Sequence, residues 1–80
     1  MDNKKYQNFK VGKEFGRVKL NNSVEIVIKE VFYKEEPRID IRKFIRTEKY
    51  TGWSSQGIAI PRKVFKDVLK ILNEVSESGK

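Results

Sequence analysis

Across residues 38–46, RIDIRKFIR, four charged residues and one phenylalanine occupy every second position, and isoleucine fills three of the four positions between them. Successive side chains of a β-strand point to opposite faces of the sheet, so this alternation predicts a strand. One face would carry Ile39, Ile41, Lys43 and Ile45. The opposite face would carry Arg38, Asp40, Arg42, Phe44 and Arg46. A strand that combines guanidinium groups with an aromatic ring on one face needs an explanation in terms of function.

Two further strands are predicted before this one. In residues 9–20, FKVGKEFGRVKL, the alternation runs from Phe9 to Val11, breaks at Gly12 and resumes from Phe15 to Leu20, which indicates a strand that is bulged or bent at its glycines. Residues 21–23, NNS, have the composition of a turn. From residue 24 the apolar set Val24, Ile26 and Ile28 alternates with Glu25, Val27, Lys29 and Val31, and β-branched residues favour a strand there.

Proline and polar residues divide the rest of the β-rich region. The segment 35–37, EEP, closes a hairpin, because Pro37 cannot continue a central ladder. Residues 47–57, TEKYTGWSSQG, predict a polar loop of about eleven residues, long enough to be a candidate for function. Residues 58–60, IAI, predict a short apolar strand.

The C-terminal segment predicts one amphipathic helix. Pro61 suits the first helical position, and apolar residues at 64, 65, 68, 69, 71, 72 and 75 follow a 3.6-residue period to an end near Ser76. This apolar stripe is wider than the roughly 100° that packing on one small sheet requires. It therefore predicts contact with a second helix in a two-fold dimer, through Val64, Val68, Leu69, Leu72 and Val75. The alternative is a helix that sinks deeply into its own sheet.

The predicted fold is therefore α+β, with a four-stranded curved antiparallel sheet followed by one C-terminal helix and a helix-mediated dimer. A single domain would span residues 9–76, with flexible tails at 1–8 and 77–80. Eighty residues support only a thin core, for which a second copy would provide support. Phe9, Phe15 and Phe65 are predicted core residues, and Lys63, Lys66 and Lys70 are predicted to form the solvent side of the helix.

Composition narrows the classes of function. The net charge of +7 points to nucleic acid or an anionic membrane surface as the partner. The alternative is that the charge only keeps the protein soluble. No run of ten apolar residues occurs, so neither a membrane span nor a signal peptide is predicted, and a cytoplasmic, nucleoid-associated or nuclear location is expected. The absence of Cys and His argues against disulfides, thiolate nucleophiles and zinc sites. No enzyme activity, catalytic residue, cofactor or metal is predicted, and Asp40 is expected to be ionised between arginines.

The arginine-bearing face of the third strand suits unpaired nucleic acid. Arginine binds phosphate and stacks on bases, and aromatic rings stack on exposed bases. The competing interpretation is a solvated face whose arginines pair with Asp40, Glu25 or Glu30. Trp53 has two interpretations of equal weight: a lid folded over the core, or a base-stacking residue.

The order of FKVGK, IDIRKF and QGIAIP before an amphipathic C-terminal helix resembles a known family. It is similar, over residues 9–75, to the single-stranded-DNA-binding transcriptional coactivators called positive cofactor four. The resemblance implies four antiparallel strands and a helix in a two-fold dimer whose curved sheets bind unpaired DNA. It also implies DNA contacts at Arg42, at Phe32 or Tyr33, and at Lys34, Lys29 and Lys13. The family often has a tryptophan or tyrosine where Ile45 lies, and has a basic pair where Ser55 and Gln56 lie.

Together these observations predict sequence-nonspecific binding of single-stranded DNA or RNA by a homodimer, in transcription regulation or protection of unwound DNA. The alternatives are a protein-interaction module whose basic face docks an acidic partner of the transcription machinery, and a duplex-binding architectural protein. The predicted contact residues are Lys13, Lys29, Phe32, Tyr33, Lys34, Arg38, Arg42, Phe44, Arg46, Trp53 and Gln56.

Overall fold

The computed structural model describes residues 9–79, which form one antiparallel sheet followed by one helix. The elements are β1 Phe9–Asn21, β2 Val24–Tyr33, β3 Glu36–Arg46, β4 Thr51–Pro61 and α1 Arg62–Ser78. The four strands lie in the order β1-β2-β3-β4. This architecture confirms the predicted α+β class. The predicted tail 1–8 lies outside the described residues, and so does Lys80.

The two faces of the sheet follow from the register of its strands. Arg42 lies opposite Val27, and Asp40 lies opposite Lys29. Directly opposed residues of an antiparallel pair share a face, so the predicted alternation of β2 and β3 is confirmed. We call the side that carries the odd-numbered residues of β2 and the even-numbered residues of β3 the arginine face. The opposite side, which carries the isoleucines of both strands, is the isoleucine face.

The first strand is irregular and lies at an edge of the sheet. Its register with β2 shifts between Val11 and Glu14, between Glu14 and Gly16, and between Lys19 and Asn21, which confirms a bulged strand. Phe9 and Phe15 were predicted to be core residues, but they are 43% and 49% exposed, so that prediction is wrong for the single chain. The physical reason is that β1 has a neighbouring strand on only one side.

Two short turns join the first three strands. At the first, the side-chain oxygen of Asn21 accepts a hydrogen bond of 2.8 Å from the backbone N–H of Ser23. At the second, Lys34 and Glu35 both have positive φ, 52° and 68°, as a two-residue hairpin turn demands. Strand β3 therefore begins at Glu36, two residues earlier than predicted. The pairing of β3 with β4 ends at the pair Arg38–Pro61. Pro37 lies one residue outside this pairing, so β3 tolerates a proline there.

The polar segment after β3 differs most from its prediction. The loop expected at 47–57 is only four residues long, 47–50, because β4 already starts at Thr51. Between the pairs Arg42–Gly57 and Phe44–Trp53, the residues 54–56 of β4 face the single residue Lys43, which forms a bulge. An edge strand can consist of uncharged polar residues that pair only through the backbone, and such a sequence carries no hydrophobic period to reveal it.

The helix begins at Arg62 rather than at Pro61, and it continues two residues past the predicted end, to Ser78. Its first residue is tied to the isoleucine face by an ion pair of 3.4 Å between Arg62 and Glu30. Within the helix only Phe65 and Val68 are half-buried, and every other residue is exposed. The alternative of a helix sunk deeply into its own sheet is therefore not what the single chain shows.

The core of the described chain is small and flat. Its buried apolar residues are Val27, Val31, Ile39 and Ile60. The radius of gyration is 14.7 Å, whereas a compact domain of this length would have one of about 12 Å. The single chain thus leaves much apolar surface in contact with water.

Candidate nucleic-acid interface

A buried carboxylate organises the centre of the arginine face. Asp40 is 4% exposed and accepts a hydrogen bond of 3.0 Å from the ammonium of Lys29. Arg42 binds the same carboxylate with two nitrogens, Nε at 3.1 Å and Nη2 at 3.0 Å. Burial alone would raise the pKa of Asp40, but the hydrogen bonds from Arg42 and Lys29 outweigh it and hold this pKa below its ordinary value. Asp40 is therefore ionised and paired, as predicted. Its partners are Arg42 and Lys29, whereas the sequence predicted Arg42 and Arg38.

Trp53 lies on top of this buried ion pair. The ammonium of Lys29 is 3.8 Å from the centroid of the Trp53 ring, a cation–π contact. The backbone that carries the ring is also held at two consecutive carbonyls: the Tyr50 hydroxyl donates to the Trp53 carbonyl at 2.6 Å, and Arg42 donates to the Ser54 carbonyl at 3.2 Å. Trp53 nevertheless remains 40% exposed. The geometry thus combines features of both predicted roles, a cover over a buried group and an aromatic surface open to solvent.

Phe44 is more enclosed than the sequence indicated. Its ring meets Trp53 edge-on at a centroid distance of 4.8 Å. The guanidinium groups of Arg46 and Arg17 lie 5.0 Å and 5.5 Å from its centroid. Phe44 therefore has fewer open directions for stacking on a base than Trp53 has.

The arginines of this face form ion pairs with carboxylates of the same chain. Arg38 pairs with Glu36 at 2.8 Å, and Arg17 binds Glu25 at 2.9 Å. Arg46 has the longest of these contacts, 3.5 Å to Glu25, and its side chain is 55% exposed. Pairing with Asp40 and Glu25 is what the competing interpretation of a solvated face expected. Among these arginines, Arg46 is the one most available to an incoming phosphate.

A second aromatic group marks the other end of the face. Tyr33 lies opposite Glu36 on the arginine face and is 43% exposed, whereas Phe32 points to the isoleucine face, where its ring lies close to Gly12. The cationic groups of Lys34 and Arg38 are 5.5 Å and 5.6 Å from the Tyr33 centroid. From Glu36, which lies opposite Tyr33, to Phe44, which lies opposite Trp53, there are eight residue steps along β3, or roughly 27 Å. Of the pair Phe32 and Tyr33, only Tyr33 is placed to join the site.

Three other predicted contact residues, Lys29, Gln56 and Lys13, each contact side chains of the same chain. Lys29 is 6% exposed and is engaged by Asp40 and Trp53, so a phosphate cannot reach it in this conformation. Gln56 accepts a hydrogen bond of 2.9 Å from Lys43, a residue of the isoleucine face. Lys13 lies in the bulged part of β1, with its ammonium 5.5 Å from the Phe15 ring.

Sequence reasoning missed Arg17, Glu25 and Tyr50 as members of this site. Glu25 was considered only as a counter-ion, and Arg17 lies in a strand whose register with β2 is shifted by bulges. A signal for Arg17 was present in the alternation of residues 15–20, which puts Arg17 and Lys19 on one face and Val18 and Leu20 on the other. The role of Tyr50 depends on the four-residue turn 47–50, which the longer predicted loop concealed.

Searches against protein-family models, curated proteins and solved structures returned no match for this chain. Within residues 9–79, no group of three or more Asp, Glu, Cys or His side chains could hold a metal ion. In the same range, α1 is too short and too polar to cross a membrane. The site therefore has to be interpreted from its own geometry.

Proposed function

We propose that this protein binds single-stranded nucleic acid, DNA or RNA, on the arginine face, and that it does so as a homodimer. The observation that carries the proposal is Trp53, whose ring is held on the Lys29 ammonium while 40% of the residue stays exposed beside the Arg46 and Phe44 side chains. A fixed, solvent-exposed indole next to cations matches what unpaired bases require, since a base stacked in a duplex offers no free ring surface.

Phosphate contacts would come from the cations that are least engaged within the chain. Arg46 and the exposed Lys19 lie at the Trp53 end of the face, and Lys34 lies at the Tyr33 end. Arg42 and Lys29 would act indirectly, because their charges already hold Asp40 and position Trp53. Binding would not depend on sequence where only phosphate and stacking contacts form.

The resemblance to positive cofactor four adds support for single strands over duplex. The segments that carry it lie on elements of the site: IDIRKF is the centre of β3, and QGIAIP is the end of β4. It also supports a role in transcription regulation or in protecting unwound DNA.

The dimer is proposed from the apolar surface that one chain leaves uncovered. Val64, Leu69, Ile71, Leu72 and Val75 of α1 are between 41% and 61% exposed. The isoleucine face also has a shallow depression of about 220 Å³ lined in part by Ile26 and Ile41. Exposed apolar surface of this extent is typical of an interface. Packing of α1 against a second copy would cover both the helix stripe and this depression.

Fluorescence anisotropy with a labelled 12-nucleotide single strand, its RNA counterpart and the matching duplex tests the nucleic-acid proposal. We expect the single strand to bind more tightly than the duplex. Arg46→Ala should reduce the slope of log K against log salt by about 0.7, the value for one phosphate contact in a single strand. Lys66→Ala removes the same charge from the exposed side of α1 and should leave the slope unchanged. Equal, weak binding to strand and duplex would contradict the proposal.

Two comparisons complete this test. Sedimentation analysis should show a dimer that Leu72→Asp converts to monomer, while Asn73→Asp, which adds the same charge one residue away, leaves the dimer intact. A wild-type monomer would contradict the dimer. An acidic peptide whose binding Arg46→Ala weakens, and which the oligonucleotide fails to displace, would favour the protein-interaction module instead.

A further inference from the structure

A small polar cavity opens at the Trp53 end of the arginine face, beside the turn between β1 and β2. Its volume is about 150 Å³, and its walls include Lys19, Asn22, Ser23, Glu25, Phe44 and Arg46. One water needs only about 10–15 Å³ of such volume, so the cavity has room for a small planar group. Two of its wall residues, Lys19 and Arg46, are proposed above as phosphate contacts, whereas Glu25 has no role in that proposal.

The cavity lies in the same cross-strand row as the stacking site. Lys19 pairs with Glu25, Glu25 pairs with Phe44, and Phe44 pairs with Trp53 across the four strands. Neighbouring strands are about 4.8 Å apart, so Glu25 lies roughly 10 Å from Trp53 across the sheet. A nucleotide adjacent to one stacked on Trp53 can therefore place its base in the cavity.

Glu25 gives the cavity an acceptor that a phosphate-binding surface does not need. Arg17 and Arg46 both approach the same carboxylate oxygen, Oε1, at 2.9 Å and 3.5 Å. Within residues 9–79, Oε2 receives no hydrogen bond, and the Glu25 side chain is 27% exposed. A carboxylate repels phosphate but accepts hydrogen bonds from base edges, so it contributes to reading a base rather than the backbone.

Among the common bases, guanine fits this arrangement of charges best. Its Watson–Crick edge presents two adjacent donors, N1–H and the N2 amino group, next to the acceptor O6. Cytosine and adenine offer one amino donor on this edge, and thymine and uracil offer a single N–H between two acceptors. A carboxylate flanked by cations complements two donors followed by an acceptor.

Resting on the proposed function, we infer that this cavity binds a guanine base of the bound strand. Glu25 accepts hydrogen bonds from N1–H and the N2 amino group, and the ammonium of Lys19 donates to O6. The protein would therefore bind any unpaired strand through Trp53 and the cations, with a preference for strands that offer a guanine next to the stacked base.

Anisotropy with the wild-type protein tests this inference through the chemistry of a single base. A thymidine 12-mer is compared with 12-mers that carry one central guanine, inosine or 7-deazaguanine. We expect the guanine strand to bind about tenfold more tightly than the all-thymine strand, the size of one bidentate base contact. Inosine, which lacks the N2 amino group, should lose most of this gain. The 7-deazaguanine strand should keep it, because N7 lies away from the edge that is read.

Two matched variants assign the preference to the cavity. Glu25→Gln should abolish the guanine preference, measured within that variant as the ratio of its affinities for the guanine strand and the all-thymine strand. Glu36→Gln makes the same change at the Tyr33 end of the face and should keep the preference. Binding of all four strands with equal affinity would overturn the guanine site while leaving the proposed function intact. Failure of every strand to bind would instead overturn the proposed function, and the guanine site with it.

Discussion

The ammonium of Lys29 lies 3.8 Å from the centroid of the Trp53 ring and 3.0 Å from a carboxylate oxygen of Asp40. One buried cation thus satisfies a buried anion and supports an exposed aromatic ring. Stability of the chain and positioning of the stacking surface therefore depend on the same three side chains.

Replacing Lys29 tests this coupling. Lys29→Met keeps most of the side-chain volume but leaves Asp40 with Arg42 alone, so we expect the free energy of unfolding to fall by about 2 kcal/mol. Urea denaturation followed by the emission of Trp53, the single tryptophan of the chain, measures it. Lys43→Met is the control, because among the described residues the ammonium of Lys43 makes one hydrogen bond, the exposed one to Gln56. Equal effects of the two substitutions would contradict a special role for the buried pair.

The ionised state of Asp40 predicts how stability depends on pH. Its pKa is lowered in the folded protein, so the carboxylate stabilises the fold above the ordinary Asp value of 3.8. This contribution is lost as pH falls through the lower folded pKa, because the unfolded chain binds the proton more readily. We expect Asp40→Asn to remove much of the acid-induced loss of stability below about pH 4.

A second carboxylate provides the control for that experiment. The hydrogen bond from Arg17 lowers the pKa of Glu14 as well, but this ion pair lies in solvent. Glu14→Gln should therefore change the acid limb of the stability curve much less, since solvent screens exposed pairs. An acid limb unaltered by Asp40→Asn would show that Asp40 does not control it.

The hairpin turn between β2 and β3 holds strain that can be relieved. Glu35 has φ of 68°, a conformation that costs a residue with a side chain roughly 1–2 kcal/mol and glycine far less. Glu35→Gly should raise the free energy of unfolding by about 1 kcal/mol, measured by thermal denaturation. Glu36→Gly, one residue later inside β3, should lower it instead. A decrease with both variants would contradict the turn assignment.

Gly57 permits the close approach of β4 to β3 beside the bulge that places Trp53. A Cβ at this position would lie 2.8 Å from both the Cβ of Arg42 and the carbonyl oxygen of Ile41. We expect Gly57→Ala to cost about 1–3 kcal/mol of stability and to weaken strand binding, because Arg42 must shift. Gly16→Ala, where a Cβ meets nothing within 4 Å, is the matched control. Equal stability of both variants would rule out this packing constraint.

The sequence predicted well the features that depend on local periodicity. Alternation in residues 38–46 identified both faces of β3, and the 3.6-residue period identified the helix. The pairing of Asp40 with Arg42 was also foreseeable, since residues two apart on a strand share a face.

The features that the sequence did not predict depend on strand register and on the position of a strand within the sheet. The contact of Trp53 with Lys29 requires the β4 bulge opposite Lys43, and no periodic pattern marks that bulge. Whether Phe9 and Phe15 are covered depends on β1 lying at an edge, which the composition of the strand does not reveal. Pairing partners of this kind are set by tertiary structure rather than by local preference.

Trp53 emission during titration with nucleic acid tests the central claim most directly. If unpaired bases stack on Trp53, a thymidine 12-mer should quench its fluorescence in a saturable way, with the same midpoint as the anisotropy of the labelled strand. The matching duplex should cause little quenching at the same concentrations. Saturable binding of the single strand with unchanged Trp53 emission would show that the strand binds elsewhere, and would contradict this account.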